Sequence, residues 1–149
     1  MPSRDERLRA PLLIALWVLL AVEAVGGLAM FFARVAFGTR PGETVHVGAG
    51  VALTGVYALY QWGHWRRVLP WRSRLDYGLG LLAATSMAIT NVSGLLLAVP
   101  WARRAGMLRG AAPPASPTTL LGFHNVASMV VLTFVAAHLA AVLRRTAKT

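Results

Sequence analysis

Residues 44–65 read TVHVGAGVALTGVYALYQWGHW and contain no formally charged side chain. As a helix this stretch is about 33 Å long, enough to cross the roughly 30 Å hydrocarbon core of a bilayer. Three similar stretches occupy residues 10–33, where Glu23 is the only charge, 77–102 and 110–143. Because backbone polar groups in lipid must be satisfied internally, and no alternating strand pattern occurs, the sequence predicts helices.

We therefore expect an all-α, four-transmembrane-helix bundle built from two repeated helical hairpins. The helices are predicted at about 11–33, 44–65, 77–100 and 118–143, within a single integral membrane domain of residues 1–149. The fourth begins late because GAAPPASP, residues 110–117, is typical of a loop. The first helix is interpreted as a retained span rather than a signal peptide, since it is long and lacks a clear A-x-A cleavage site.

The amino-acid composition excludes several classes of protein and of cofactor site. The 149 residues are 56% hydrophobic and only 13% charged, which excludes an ordinary water-soluble globule. The absence of cysteine excludes disulfides, iron–sulfur clusters, thiolate zinc sites, thiol nucleophiles and c-type haem attachment. The net charge of +10 comes from basic residues that flank apolar spans. This placement favours contact with lipid headgroups, so nucleic acid is not the expected partner.

The distribution of Lys and Arg predicts the orientation. Ten lie in the two termini and the middle loop, against five in the other two loops. By the positive-inside rule, both termini of this multi-pass protein are expected in the cytoplasm, in the cell inner membrane. The ten are Arg4, Arg7, Arg9, Arg66, Arg67, Arg72, Arg74, Arg144, Arg145 and Lys148.

The chain contains an internal repeat. A shift of 78 residues superposes His46 on His124, Tyr60 on His138, and Arg66-Arg67 on Arg144-Arg145. The preceding helices correspond at a shift of 67, which places Gly27-Leu28 on Gly94-Leu95. The second and fourth helices are therefore predicted to be parallel copies in two hairpins of the same orientation.

All four histidines lie in the second and fourth helices, one near each end. His46 and His64 are 18 residues apart and share a helix face, about 27 Å from one another. His124 and His138 are 14 residues apart, or about 21 Å. Parallel helices would place His46 opposite His124 on the outer side, and His64 opposite His138 on the inner side.

Paired imidazoles on facing helices suit a b haem, which takes one nitrogen on each face of the ring. Bis-histidine ligation leaves no open coordination position and favours electron transfer. The alternative interpretation is that these histidines bond neighbouring hydroxyls or carbonyls, or lie at headgroup level. Zinc is disfavoured, because the pairs are too far apart for one site and neither has thiolate or carboxylate companions. The histidines His46, His64, His124 and His138 are the predicted iron ligands, for two haems.

Two stretches carry a resemblance to a known family: HVGAGVALTGVYALYQWGHWRRV, from residue 46, and HNVASMVVLTFVAAHLAAVLRR, from residue 124. Each begins with His and closes on paired arginines, which resembles the haem-binding helices of bacterial four-helix cytochromes b. They are most similar to the flavinylation-associated cytochromes. The resemblance implies two stacked b haems that pass electrons across the membrane, to or from a flavin, iron–sulfur or quinol partner.

The resemblance assigns ligand roles to three histidines and leaves one open. His46, His124 and His138 match the ligand positions of the family, whereas Tyr60 stands where the second histidine of the second helix is expected. We expect His64, one turn further on, to pair with His138, since helix tilt can supply part of the offset of about 6 Å. In the alternative, Tyr60 packs against the porphyrin ring or hydrogen-bonds a propionate, His64 is an interfacial residue, and His138 is five-coordinate or unliganded.

Several residues are candidates for supporting roles. Gly50 and Ser128 each lie one turn after a histidine, where a small residue gives room either to the porphyrin or to helix packing. Arg66 and Arg144 are candidates for binding propionates on the inner side, although positive-inside lipid contacts also explain them. Glu23 lies in the middle of the first helix, where a carboxylate is costly unless neutral or paired. It is interpreted as bonded within the bundle, with proton or quinol chemistry as the alternative.

These observations predict a membrane b-type cytochrome that transfers electrons, with a redox partner protein or quinone. The chain has no nucleotide motif or catalytic dyad, so electron transfer is favoured over stand-alone enzyme activity. The alternatives are a small transport subunit, with Glu23 and the histidines as a proton path, and a structural membrane subunit without haem.

Overall fold

The structure is a computed structural model and describes residues 11–68, 75–110 and 118–146. These residues form four α-helices and no strand, which confirms the all-α prediction. Each helix begins within two residues of its predicted start and continues three or four residues beyond its predicted end. The helices are α1 (Pro11–Phe37), α2 (Glu43–Val68), α3 (Leu75–Arg104) and α4 (Thr118–Thr146).

The connection between α1 and α2 is short and is shaped by two glycines. Gly38 has a φ of +68° and donates its N–H to the carbonyl of Arg34 at 3.0 Å, which is the left-handed cap that ends many helices. Gly42, with a φ of +75°, accepts the N–H of His46 at 3.0 Å and so provides the first hydrogen bond of α2. His46 therefore lies in the first turn of α2, close to the turn of the hairpin.

Helix α3 continues through Pro100, where the sequence predicted its end, and stops one turn later. Two backbone hydrogen bonds end the helix. The N–H of Gly106 donates to the carbonyl of Arg103, and the N–H of Met107 donates to the carbonyl of Ala102. Gly106 has a φ of +72°. This is a Schellman motif, and it satisfies carbonyls that a helix terminus otherwise leaves without partners.

Three of the described helices are long and apolar enough to cross a membrane by length and composition: Pro11–Phe37, Tyr77–Arg104 and Thr118–Arg145. Helix α2 is also long, at 26 residues, but its glycine, threonine, tyrosine, glutamine and histidine content makes it more polar. The more polar helix of the first hairpin is therefore the one that carries His46 and His64.

The helices form two compact units, each an antiparallel hairpin: α1 packs on α2, and α3 packs on α4. Small residues are buried in the second hairpin, among them Ala83, Ser86 and Ala127. Ser86 donates its hydroxyl to the carbonyl of Leu82 at 2.8 Å, one turn earlier. Bonding of this kind satisfies a hydroxyl within its own helix and lets apolar helices approach closely.

Candidate histidine sites

His124 lies in the second turn of α4, and its ring packs on α3. A Cβ added to Gly94 would lie 3.1 Å from Cε1 of His124, closer than carbon atoms normally approach. Ser93, next to this glycine, is 2% exposed and places its Oγ 2.9 Å from Nδ1 of His124. The glycine therefore opens a notch in α3 that admits the imidazole, and the neighbouring serine binds one of its nitrogens.

The hydrogen bonds of Ser93 favour one tautomer of His124. The serine hydroxyl donates its only hydrogen to the carbonyl of Thr90 at 3.0 Å. With its hydrogen on that carbonyl, the serine oxygen would accept from the imidazole, which makes Nδ1 of His124 the donor in this arrangement. In the neutral ring this leaves the lone pair on Nε2, the nitrogen that a metal would bind when Nδ1 is held by a hydrogen bond.

His138 repeats this arrangement at the other end of α4. A Cβ on Gly80 would lie 2.9 Å from Cε1 and 3.2 Å from Nδ1 of His138. The two glycines of α3 are 14 residues apart, as are the two histidines of α4. Both glycine–histidine pairs therefore belong to one antiparallel register, which brings each imidazole against a glycine of α3.

In the described part of the first hairpin, the same contact occurs at the end that carries His46. A Cβ on Gly27 of α1 would lie 3.3 Å from Cε1 of His46. The sequence repeat aligns Gly27 with Gly94 and His46 with His124, so the aligned residues make the same contact in both hairpins. The repeat is thus a repeat of three-dimensional structure at this position, and it includes the glycine as well as the histidine.

Glu23 of α1 fills the space beside His46. Its Oε2 lies 3.0 Å from Nδ1 of His46, and the two side chains are 15% and 20% exposed, respectively. Nδ1 of His46 and Oε1 of Glu23 are buried without a hydrogen-bond partner in the described part of the chain. The carboxyl group fits here because a Cβ on Gly50 would lie 3.3 Å from Oε2.

At the other end of the first hairpin, both members of the glycine–histidine pair are replaced. The register that pairs Gly27 with His46 assigns Leu13 to the position opposite Tyr60, 14 residues away along each helix. Where the second hairpin has a small residue opposite an imidazole, the first has leucine and tyrosine. Tyr60 in turn stacks on His64, with ring centroids 5.6 Å apart and planes 18° from parallel.

The structure places the other predicted residues as follows. Gly50 faces the carboxyl group of Glu23, so the small residue makes room for that side chain. Arg144 is exposed at the end of α4. The side chain of Arg66 lies outside the described part of the protein. Each predicted ligand pair combines one histidine from each hairpin, and the pairing of His46 with His124 and of His64 with His138 stays a prediction.

Sequence reasoning missed the roles of Gly80 and Ser93. A signal for the glycine was present, because its distance of 14 residues from Gly94 matches the spacing of His124 and His138. In an antiparallel hairpin, equal spacings on the two helices place both pairs in contact. No comparable signal marks Ser93, since serine is common in packed apolar helices.

The arrangement fits a b haem by the chemistry of its donors. His124 and His46 each present Nδ1 to a polar side chain of the preceding helix, Ser93 and Glu23 respectively. Metal-binding histidines usually hold their second nitrogen in this way, which fixes the ring and leaves Nε2 for the metal. In the described residues, no three His, Asp or Glu side chains come together as a metal cluster. The candidate donors are therefore separate imidazoles.

Comparisons of the chain with protein-family models, with curated proteins and with solved structures find no match. The functional assignment therefore depends on the geometry of the two hairpins and on the sequence patterns described above.

Proposed function

We propose that this protein is a membrane b-type cytochrome that carries electrons across the membrane through two bis-histidine haems. In this proposal His46 and His124 bind the outer haem, and His64 and His138 bind the inner haem. When bound, such a haem supplies a one-electron carrier whose two axial positions are both filled by imidazole. All four helices cross the membrane, with both termini in the cytoplasm.

The observation that carries the proposal is the duplicated histidine contact. In both hairpins the imidazole near the start of the second helix lies against a glycine of the preceding helix, and Nδ1 faces a polar side chain. A histidine that merely satisfied its own polarity in lipid would not need the same notch in two separate hairpins. Two imidazoles that each present Nδ1 to a polar side chain of the preceding helix are suited to the two axial positions of one ring.

Fewer contacts support the proposed inner haem than support the outer haem. His138 lies against Gly80 as His124 lies against Gly94, so the second hairpin offers two imidazoles that share this glycine contact. The first hairpin has Tyr60 at the corresponding position, and His64 lies one turn further, stacked on that tyrosine. The stack holds the His64 ring in a defined orientation, which favours its use as the second inner ligand.

The chain itself supplies little chemistry beyond these ligands. We propose that its role is to hold two carriers at different depths and to present them to a partner, which is a flavin protein, an iron–sulfur protein or a quinol. Electron transfer is favoured over catalysis because both axial positions are filled. A proton-path or structural subunit is the competing function, and it predicts a protein without haem.

The test is a visible absorption spectrum of the full chain purified from haem-replete cells, with haem counted by the pyridine haemochrome assay. The proposal expects a sharp Soret band that shifts on reduction by dithionite, and two haems per chain. His124→Ala should remove about half of the haem. Thr133→Ala is a matched control, because this exposed hydroxyl on the same helix bonds only the carbonyl of Met129 among the contacts described for it.

A colourless wild-type protein would overturn the cytochrome proposal. Unchanged haem content and spectrum in His124→Ala would exclude the outer ligand assignment, even if haem is bound elsewhere. One haem per chain in the wild type, lost in His124→Ala, would retain the outer site and remove the inner one.

A further inference from the structure

The carboxyl group of Glu23 has no counterpart in the second hairpin. The repeat aligns Glu23 with Thr90 and, on the helices that face them, Gly50 with Ser128. A long side chain opposite a glycine in one hairpin thus corresponds to two short hydroxyl side chains in the other. Only the combination of Glu23 with Gly50 lets a carboxyl group reach His46, which lies one turn before Gly50 in α2.

The space for the carboxyl group of Glu23 depends on a glycine at position 50. A methyl group on Gly50 would lie 3.3 Å from Oε2 of Glu23 and 3.7 Å from its Cδ, so even alanine would press on the carboxyl group. No described atom lies within 4 Å of the corresponding point on Gly55, one and a half turns along the same helix. The close approach at Gly50 is therefore a property of the Glu23 site and not of every glycine in α2.

The polar atoms of the site give a reason for the pairing. Nδ1 of His46 and Oε1 of Glu23 are buried without hydrogen-bond partners in the described residues, while Nδ1 and Oε2 are 3.0 Å apart. At this distance, an N–H on Nδ1 directed at Oε2 would form a hydrogen bond. A hydrogen bond between them would satisfy buried polar groups that are costly to leave without partners.

We propose that Glu23 is a positioning residue for His46, which holds Nδ1 as a donor and directs Nε2 to the iron of the outer haem. This inference rests on the proposed function, in which His46 and His124 share that haem. The two ligands would then be held differently, one by a carboxyl group and the other by the hydroxyl of Ser93. A carboxyl acceptor makes its imidazole the stronger electron donor, which stabilises ferric over ferrous iron.

The consequence is a lower midpoint potential for the outer haem than the two imidazoles would give without the carboxyl group. Glu23→Gln keeps the size and an acceptor oxygen but removes the acidic group. Gly50→Ala leaves Glu23 in place and pushes its carboxyl group, at 3.3 Å from the added Cβ, out of its position beside His46 by a few tenths of an ångström. Gly55→Ala is the matched control, because it adds the same methyl group to α2 where there is space.

The experiment is a spectroelectrochemical titration of the haem-loaded full chain, with electron paramagnetic resonance of the ferric state. Glu23→Gln and Gly50→Ala should each shift one of the two midpoint potentials upward and move one low-spin signal, while Gly55→Ala matches the wild type. A tenfold change in the ferric-to-ferrous equilibrium corresponds to about 59 mV for one electron, which is the size of shift expected.

The outcomes separate this inference from the proposed function. If the variants retain both haems with unchanged potentials and signals, Glu23 does not act on the ligand and the inference fails, while the cytochrome proposal stands. If Glu23→Gln does not accumulate as folded protein, Gly50→Ala decides, because it changes no polar group. A wild-type protein without haem overturns both proposals.

Discussion

Gly80→Ala tests the contact between α3 and His138 directly. The added Cβ would lie 2.9 Å from Cε1 of the ring, about 0.6 Å inside normal carbon–carbon contact. The nearest atom belongs to a ring held by its own packing, so either the imidazole or the helix backbone must move. Overpacking of this kind typically costs about 1–3 kcal/mol.

Gly78→Ala is the control for this substitution. It lies on the same helix, two residues earlier, and no described atom lies within 4 Å of its added Cβ. Both variants gain the benefit of alanine over glycine in a helix, about 0.5–1 kcal/mol, so this term cancels in their comparison. Gly80→Ala should therefore be less stable than Gly78→Ala by about the overpacking cost of 1–3 kcal/mol.

The assay is unfolding of both variants in the same detergent micelles, followed by circular dichroism, with haem content measured alongside. Gly80→Ala should unfold earlier than Gly78→Ala and lose haem from the inner site. Equal unfolding curves and equal haem contents would refute the view that this glycine exists to admit His138. A stability difference without haem loss would limit the role of the contact to packing.

Three further predictions follow from the same contacts. Ser93→Ala removes the hydroxyl that bonds Nδ1 of His124, and should weaken haem binding at the outer site by about 10–100-fold. The measurement is transfer of haem to a second haem-binding protein. Equal retention of haem in variant and wild type would contradict this prediction. Tyr60→His alone should lower the free energy of unfolding, because Leu13 leaves no room for the imidazole. The double variant with Leu13→Gly should be more stable than the two single changes in this free energy predict when added, as a double-mutant cycle measures. Additive changes would place the two residues out of contact. His64→Ala should convert two low-spin haem signals into one, or into one low-spin and one high-spin signal, and retention of both low-spin signals would show that this histidine is not a ligand.

Replacements on both helices of the first hairpin explain why its inner site looked incomplete from sequence. Comparison of α2 with α4 alone shows a histidine replaced by tyrosine. The repeat also aligns Leu13 with Gly80, so a bulky leucine stands at the position of the glycine and the sequence has changed on both helices. His64 is therefore not a displaced copy of the missing histidine, since it lies at a different level of the hairpin and stacks on the tyrosine.

Much of the architecture follows from the sequence because a bilayer imposes strong one-dimensional constraints. Uncharged stretches such as 77–102 must be helical in lipid, where the backbone can bond only to itself, and charged residues limit how far each can be buried. Helical periodicity then determines that His124 and His138 lie near opposite ends of one helix. The repeat, found by alignment alone, predicted that Gly27 and Gly94 occupy equivalent positions.

Only the tertiary structure decided which residues face those histidines. A soluble helix reveals its buried side through an apolar stripe, but α1 and α3 are apolar on all sides, so their sequences do not indicate which face meets the partner helix. The contacts of Glu23 with His46, of Ser93 with His124 and of Gly80 with His138 depend on the register of each hairpin. That register is determined by close packing of small side chains across two helices, a property of pairs of residues rather than of either helix alone.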